Sequence, residues 1–308
     1  MRSAVLFLVF NRPEPSAEVF AAIRAARPSR LYVAADGARP SRAAEAQRCE
    51  ETRRVATAVD WPCEVKTLFR KQNLGCKQAV SQALDWFFEC EEEGVVLEDD
   101  CVPDPSFFQF CDELLERYRD DTRVALISGD NYQFGRVYGE SSYYFSRYAH
   151  IWGWASWRRT WRHYDRDIKA WPAFRDSGGL ENLFGAQSRQ VGYWRHHLDA
   201  VHQGRIDTWD YQLNFTVWAQ RSVTVVPQKN LVKNIGFGLD ATHTTERNKF
   251  ADMRAQQMDF PLRHPSSYET CTAADDYTAA EMFTQPPIPA RAIRKLKSIW
   301  QRRMRAKP

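Results

Sequence analysis

The chain has 308 residues, of which 44% are hydrophobic and 27% charged, an ordinary globular composition with enough apolar material for a buried core. Its net charge of +4 is uneven: residues 291–308 hold eight basic residues and no acidic ones, leaving 35 basic against 39 acidic in residues 1–290. A mildly acidic body excludes a nucleic-acid-binding body and directs any attraction to polyanions toward the tail.

The apolar run at residues 4–10 ends at Asn11-Arg12-Pro13 without a small-residue cleavage site, so it reads as a strand and not as a signal peptide. Further strands are predicted at 31–35, 64–68, 94–97 and 124–128, each short, apolar and suited to a central position. Between them the spacing predicts helices at 16–26 with Ser16 as N-cap, at 42–59, at 77–90, and at 105–118 with Asp104 as N-cap and Pro105 opening the first turn. Regular alternation of this kind predicts an α/β domain with a mostly parallel sheet.

Aromatic residues crowd the chain after Asn131: Tyr143-Tyr-Phe145, the run from Ile151 to Trp157, then Trp161, Trp171, Trp194, Trp209 and Trp218. They read either as a large core or as a cleft facing carbohydrate, since flat rings with polar edges suit the faces of sugars. Gln285-Pro-Pro-Ile-Pro289 marks a hinge before the basic tail, giving three regions, 1–130, 131–285 and 286–308. In the tail Ile293, Leu296, Ile299, Trp300 and Met304 recur at helical spacing among basic residues. This describes an interfacial helix for an anionic membrane surface through residues 290–308; a solubilising or partner-docking tail is the competing reading. No run approaches the roughly 18 apolar residues of a spanning helix, so membrane contact is expected to be peripheral. The seven cysteines are scattered, never as a CxxC pair, and are expected to be free thiols in a reducing cytoplasm.

Three segments carry candidate chemistry. An apolar strand runs into Glu98-Asp99-Asp100, three consecutive carboxylates that repel one another unless a cation or water lies among them. Strand alternation places Glu98 and Asp100 on one side and Asp99 on the other, a hard-oxygen set for Mn²⁺ or Mg²⁺; a solvated acidic turn is the competing reading. A second strand ends at Asp36-Gly37, and in open α/β sheets strand ends of this kind converge on one crevice with Asn11 and Arg12. The stretch Arg70 to Lys77 places cations before a helix N-terminus, an anion site suited to a diphosphate, although it lacks P-loop spacing and also reads as a solvated basic loop.

VFNRPEP at 9–15, VAADG at 33–37, RKQNLGCKQAV at 70–80, GVVLEDDCVPDPSFF at 94–108 and LISGDNY at 126–132 together resemble the nucleotide-sugar glycosyltransferases of the GT-A type. The similarity is to bacterial family-2-like members, with a Glu-Asp-Asp form of the Asp-x-Asp motif like that of the N-acetylglucosaminyltransferase I group. The resemblance implies a Rossmann-like sheet flanked by helices with an aromatic-rich acceptor-side half. It implies Asn11, Arg12 and Asp36 near the nucleotide base, Glu98 and Asp99 near the ribose or sugar, and Asp100 on a divalent metal. More loosely, the run 151–157 resembles the acceptor-side loop, bringing Trp152, Trp154 and Trp209 toward the acceptor. Thr208–Gln212 resembles the segment holding the catalytic acid, with Asp210 as general base. Residues 230–244 resemble the late segment whose histidine, here His243, completes the metal or diphosphate site. A UDP-sugar donor, a glycan or lipid-linked acceptor and an inverting displacement are implied by the same likeness. The alternatives are a sugar-nucleotide nucleotidyltransferase, though the glycine-rich basic loop expected after its first strand is absent, and a non-catalytic carbohydrate-binding protein. A dehydrogenase is disfavoured because no GxGxxG follows the first strand.

Overall fold

The apolar opening forms β1 (Ala4–Val9), buried at all six positions, in a computed structural model that describes residues 1–42, 44–237 and 249–283. The alternation continues with α1 (Pro13–Ala26), β2 (Arg30–Ala35), α2 (Glu45–Ala56), β3 (Glu64–Phe69), α3 (Cys76–Cys90) and β4 (Glu93–Glu98). Next come β5 (Cys101–Pro103), α4 (Pro105–Arg117) and β6 (Val124–Ser128). The aromatic stretch supplies β7 (Tyr143–Ser146) and β8 (Trp154–Trp157), followed by α5 (Arg158–Trp161), α6 (Trp171–Asp176) and α7 (Gly179–Phe184). The described elements end with α8 (Arg189–His202), α9 (Asp210–Ala219), β9 (Val223–Pro227), β10 (Val232–Asn234) and α10 (Thr272–Met282).

Eight strands form one mixed sheet in the order β3-β2-β1-β4-β8-β6-β9-β7, while β5 and β10 pair separately. Strands β1 to β4 run parallel, β8 opposes both β4 and β6, β9 follows β6, and β7 opposes β9. The chain therefore has the mostly parallel α/β architecture expected of it. β1 shows why its strand is apolar at every position: Val5, Phe7 and Val9 join one core with Val19 and Ile23 of α1 and Leu114 of α4. Ala4, Leu6 and Leu8 join the other with Leu84 and Phe87 of α3 and Leu198 of α8. A sheet covered on both faces leaves neither parity free for polar residues, and each full burial of a Val, Leu or Phe contributes about 1.5–3 kcal/mol.

Several boundaries differ from expectation for identifiable reasons. α1 begins at Pro13, where a missing N–H costs nothing, and the hydroxyl of Ser16 donates to the Arg12 carbonyl at 2.6 Å instead of capping the helix. α4 is capped as expected, Asp104 accepting from the Ser106 N–H at 2.9 Å. β3 was expected to be central but forms the edge of the sheet, with Val65 and Phe69 each 37% exposed; charged Glu64 and Lys66 alternate along it in the manner of edge strands. The regions 1–130 and 131–285 contribute strands to one sheet, in which β8 lies between β4 and β6.

The tryptophans divide mainly toward the core reading. Trp154, Trp157, Trp171 and Trp194 are fully buried, and Trp161, Trp209 and Trp218 nearly so. All seven cysteines are free. Among the described residues no helix is long and apolar enough to cross a membrane. The basic tail, 286–308, lies outside the described residues, as does His243.

Candidate functional site

Parallel pairing sets Val9 beside Ala35 and Leu8 beside Glu98, so the residues leaving β1, β2 and β4 emerge at one edge of the sheet. A cleft of about 1440 Å³ opens there. Its lining includes Asn11, Arg12, Asp36, Arg70, Glu98, Asp99, Asp100, Trp152, Trp209 and Asp210.

The three acids do not alternate as a strand would place them. β4 ends at Glu98, and Asp99 and Asp100 occupy the turn before β5. Freed from the pleat, the two aspartates share one guanidinium. Arg12 Nε donates to Asp99 Oδ2 at 3.1 Å, Nη2 donates to Asp99 Oδ1, and Nη2 also donates to Asp100 Oδ2 at 2.9 Å. Arg12, expected near a nucleotide base, is thus the counter-ion of the acidic turn. Burial alone would lower its pKa, but Asp99 and Asp100 outweigh that and raise it. Glu98 has no hydrogen-bond donor among the described residues. Burial, then repulsion from Asp100 and Asp99, pushes it up to about 8, with a smaller share from Asp210.

The segment after β9 reaches back to this turn. β10 pairs antiparallel with β5, and the Ile235 N–H donates to the Asp100 carbonyl at 2.8 Å. Gly236 then abuts the carboxylate: a Cβ there would lie 2.0 Å from Asp100 Oδ2, so only glycine fits without displacement.

Asp36 lines the cleft but its oxygens are engaged in building the wall. They accept from the N–H groups of Gly37 at 2.9 Å, Leu74 at 3.0 Å and Gly75 at 3.1 Å, and from Asn73 Nδ2 at 3.0 Å. The anion site expected at the start of α3 is filled by the protein itself, since the Lys77 N–H donates to Asp207 Oδ1 at 3.1 Å and the Gly75 N–H to Asp36. Lys77 does not line the cleft; its ammonium turns outward to Asp167 at 2.8 Å. Arg70 does line it, with a buried Nη2 that has no partner among the described residues and a pKa lowered by burial. Asn11 donates to Glu45 Oε1 at 2.9 Å, and Glu45 is held down at about 2 chiefly by its hydrogen bonds from Arg39.

The far wall belongs to α8 and α9. Asp210 opens α9, and the Thr208 hydroxyl donates to its Oδ1, fixing the carboxyl at the cleft. Beside it the rings of His197 and Tyr211 stack at 5.0 Å and 8°, and the Tyr193 and Tyr211 hydroxyls lie 3.4 Å apart. Burial lowers the His197 pKa. The local sequence does not mark His197, but Trp194, His197 and Val201 follow one stripe of α8, whose flanking members are buried. Trp209 lines the cleft and stacks at 5.9 Å on Trp154, which is core and stands outside it. Trp152 meets Tyr132 and Phe237 edge-on at 5.1 and 5.7 Å. Among the described residues no three His, Cys, Asp or Glu side chains converge to hold a metal ion.

No protein-family model and no curated protein sequence matches this chain. Among solved structures it is similar to apo UDP-glucose pyrophosphorylase, at 10% identity over 74% of this chain and 90% of that one, with a TM-score of 0.39. It is likewise similar to S. aureus TarS 1-349, at 10% identity over 75% and 59%, TM-score 0.39. A third likeness is to HddC from Yersinia pseudotuberculosis, at 9% identity over 53% and 80%, TM-score 0.33. Likenesses this distant concern the α/β fold alone.

Proposed function

We propose that this chain is a glycosyltransferase that moves a sugar from a nucleotide-sugar donor, a UDP-sugar by the sequence resemblance, to a glycan or lipid-linked acceptor. What supports the reading is one arrangement: an acidic turn at the strand ends faces, across a single cleft, an acid framed by aromatic rings. The hard oxygens of Asp100 and of Glu98, which accepts from no donor among the described residues, suit Mg²⁺ or Mn²⁺, ions that take one or two carboxylates and draw their other ligands from phosphate and water. Asp100 would hold such an ion, with Glu98 beside it and His243 as the further ligand the resemblance implies. Bound there, the cation supplies positive charge to a departing diphosphate.

The protein's own groups do the rest. Asp210 Oδ1 is taken by Thr208, leaving Oδ2 to accept the proton of the acceptor hydroxyl as that oxygen attacks the anomeric carbon. The Tyr211, His197 and Trp209 rings beside it exclude water and flank a sugar ring. Arg70, a cation whose Nη2 has no partner among the described residues, faces the donor side. A single displacement inverts the anomeric centre. The tail at 290–308 would hold the enzyme peripherally on the cytoplasmic face of a membrane, near a lipid-linked acceptor. A nucleotidyltransferase needs a free basic loop after β1 to grip a triphosphate, whereas the cation here, Arg12, is consumed by Asp99 and Asp100.

The test is a panel of nucleotide sugars incubated with the chain, with and without Mn²⁺. Metal-dependent release of nucleoside diphosphate is expected. Pyrophosphate exchange in its place would establish the nucleotidyltransferase, and absence of both would leave a carbohydrate-binding protein.

A further inference from the structure

We propose that Arg12 is a built-in competitor for the metal, so that a divalent ion enters this cleft together with a nucleoside diphosphate and binds poorly without one. The inference rests on the glycosyltransferase reading and adds a role that neither the motif spacing nor the fold assigns to Arg12.

The geometry points to it in three ways. The backbone of Arg12 is anchored: it precedes the Pro13 start of α1, and its carbonyl accepts from the Ser16 N–H at 3.1 Å and the Ser16 hydroxyl at 2.6 Å. Its guanidinium spans both aspartates, and the pair is largely shielded, with side-chain exposures of 17% for Arg12, 6% for Asp99 and 14% for Asp100. Both oxygens of Asp100 already have neighbours: Oδ2 has Arg12 Nη2 and the backbone of Gly236, and Oδ1 accepts from Cys101 Sγ at 3.4 Å.

A divalent ion arriving alone therefore meets a resident positive charge and, among the described residues, no three converging ligand side chains. Even with Glu98 and the His243 that the resemblance implies, it would surrender most of its waters for few protein ligands, an exchange that small hard cations make reluctantly. A nucleoside diphosphate changes both terms. Its phosphate oxygens supply the missing ligands, and its negative charge offsets the guanidinium. Arg12 meanwhile bridges Asp99 and Asp100 and holds them side by side, where unpaired carboxylates would repel one another. It is a positioning residue, acting through the acids.

The experiment is Mn²⁺ titration of the full chain by calorimetry, with and without saturating UDP, on wild type, Arg12→Met and Arg12→Lys. For wild type, UDP is expected to tighten Mn²⁺ binding at least about 10-fold. Arg12→Met removes the competitor and is expected to tighten nucleotide-free Mn²⁺ binding about 10-fold, so that UDP adds less. Arg12→Lys, whose ammonium lacks the planar fork that spans two carboxylates, is expected to fall between them. Should Arg12→Met fail to fold, Arg12→Lys against wild type carries the comparison. Nucleotide-free Mn²⁺ affinity unmoved by either substitution overturns the role of Arg12 while leaving the proposed function standing. Absence of Mn²⁺ binding with and without UDP overturns the metal-dependent function and this inference with it.

Discussion

Asp36 and Asp210 are acids at the ends of elements lining one cleft, and their hydrogen bonds give them different work. With both oxygens of Asp36 engaged by Gly37 and the loop at 73–75, Asp36→Ala strands several N–H donors. A loss of about 1–3 kcal/mol is expected, read as a lowered midpoint in thermal or urea unfolding, with weaker donor binding as the wall loosens. Among the described residues the Asp210 carboxylate bonds through one oxygen, to Thr208, so Asp210→Asn is expected to keep the fold and donor affinity while turnover falls on the order of 10²–10⁴-fold. Near-normal transfer by that variant would move the base elsewhere; Asp207, the nearest acid along the chain, is tied to the α3 N-terminus. His197→Ala is expected to raise the Michaelis constant for acceptor with the donor constant unchanged, and an equal rise in both would remove His197 from the acceptor side. Asp36, Glu98, Asp99 and Asp100 were legible in the sequence because an apolar strand ending in acids is a local pattern. The bond from Arg12 to the acids was not legible, because the turn carrying them is shaped by β10, a segment more than a hundred residues further along the chain.

At the scale of elements, α10 is fastened to β7 through Asp275, which accepts from the Ser146 hydroxyl at 2.5 Å and from Arg147 Nε at 2.9 Å. The side chain of Arg147 also donates to the Leu183 carbonyl at 2.7 Å, so it cannot swing free. Asp275→Ala would strand that guanidinium and is expected to cost about 3–5 kcal/mol, checked by denaturant unfolding. The end of β6 provides a pH dependence. Asp130 is wholly buried and pushed up to about 7 by that burial, while burial pushes His150, 3.7 Å away, down to about 3. The pair is therefore not an ion pair near neutrality. An acid whose pKa is raised in the folded state contributes stability that is full below its unfolded pKa near 3.9 and is lost as pH rises through about 7. Asp130→Asn is accordingly expected to match wild type near pH 4 and to exceed it at pH 8, by roughly 1–4 kcal/mol, in urea unfolding at the two pH values. An unchanged difference across that range would refute the buried-acid account. Helices and strands of the first half were legible through their periods, whereas β7 and β8 were not. Each is four residues long and buried throughout, so it offers neither alternation nor length.

For the molecule as a whole, the two halves read from the sequence share one sheet. Because β8 lies between β4 and β6, residues 1–130 made alone leave β6 without either of its sheet neighbours, β8 and β9, and leave one side of β4 unpaired. Such a fragment is expected to aggregate, and a monomeric peak on gel filtration with protected β4 and β6 amides would contradict the sheet order. The change of texture near residue 131 was visible in the sequence; that the later strands return into the earlier sheet was not, since long-range pairing leaves no local trace.

The Gly236 contact with Asp100 has a consequence in time. During synthesis the acids of the turn and Arg12 leave the ribosome early, and the backbone that closes over Asp100 follows only after β9 and β10 have been made. A polypeptide that ends between residues 100 and 235 carries every acid of the turn and still lacks the glycine that closes over Asp100, so premature termination in that range yields a protein with the motif but without the finished site.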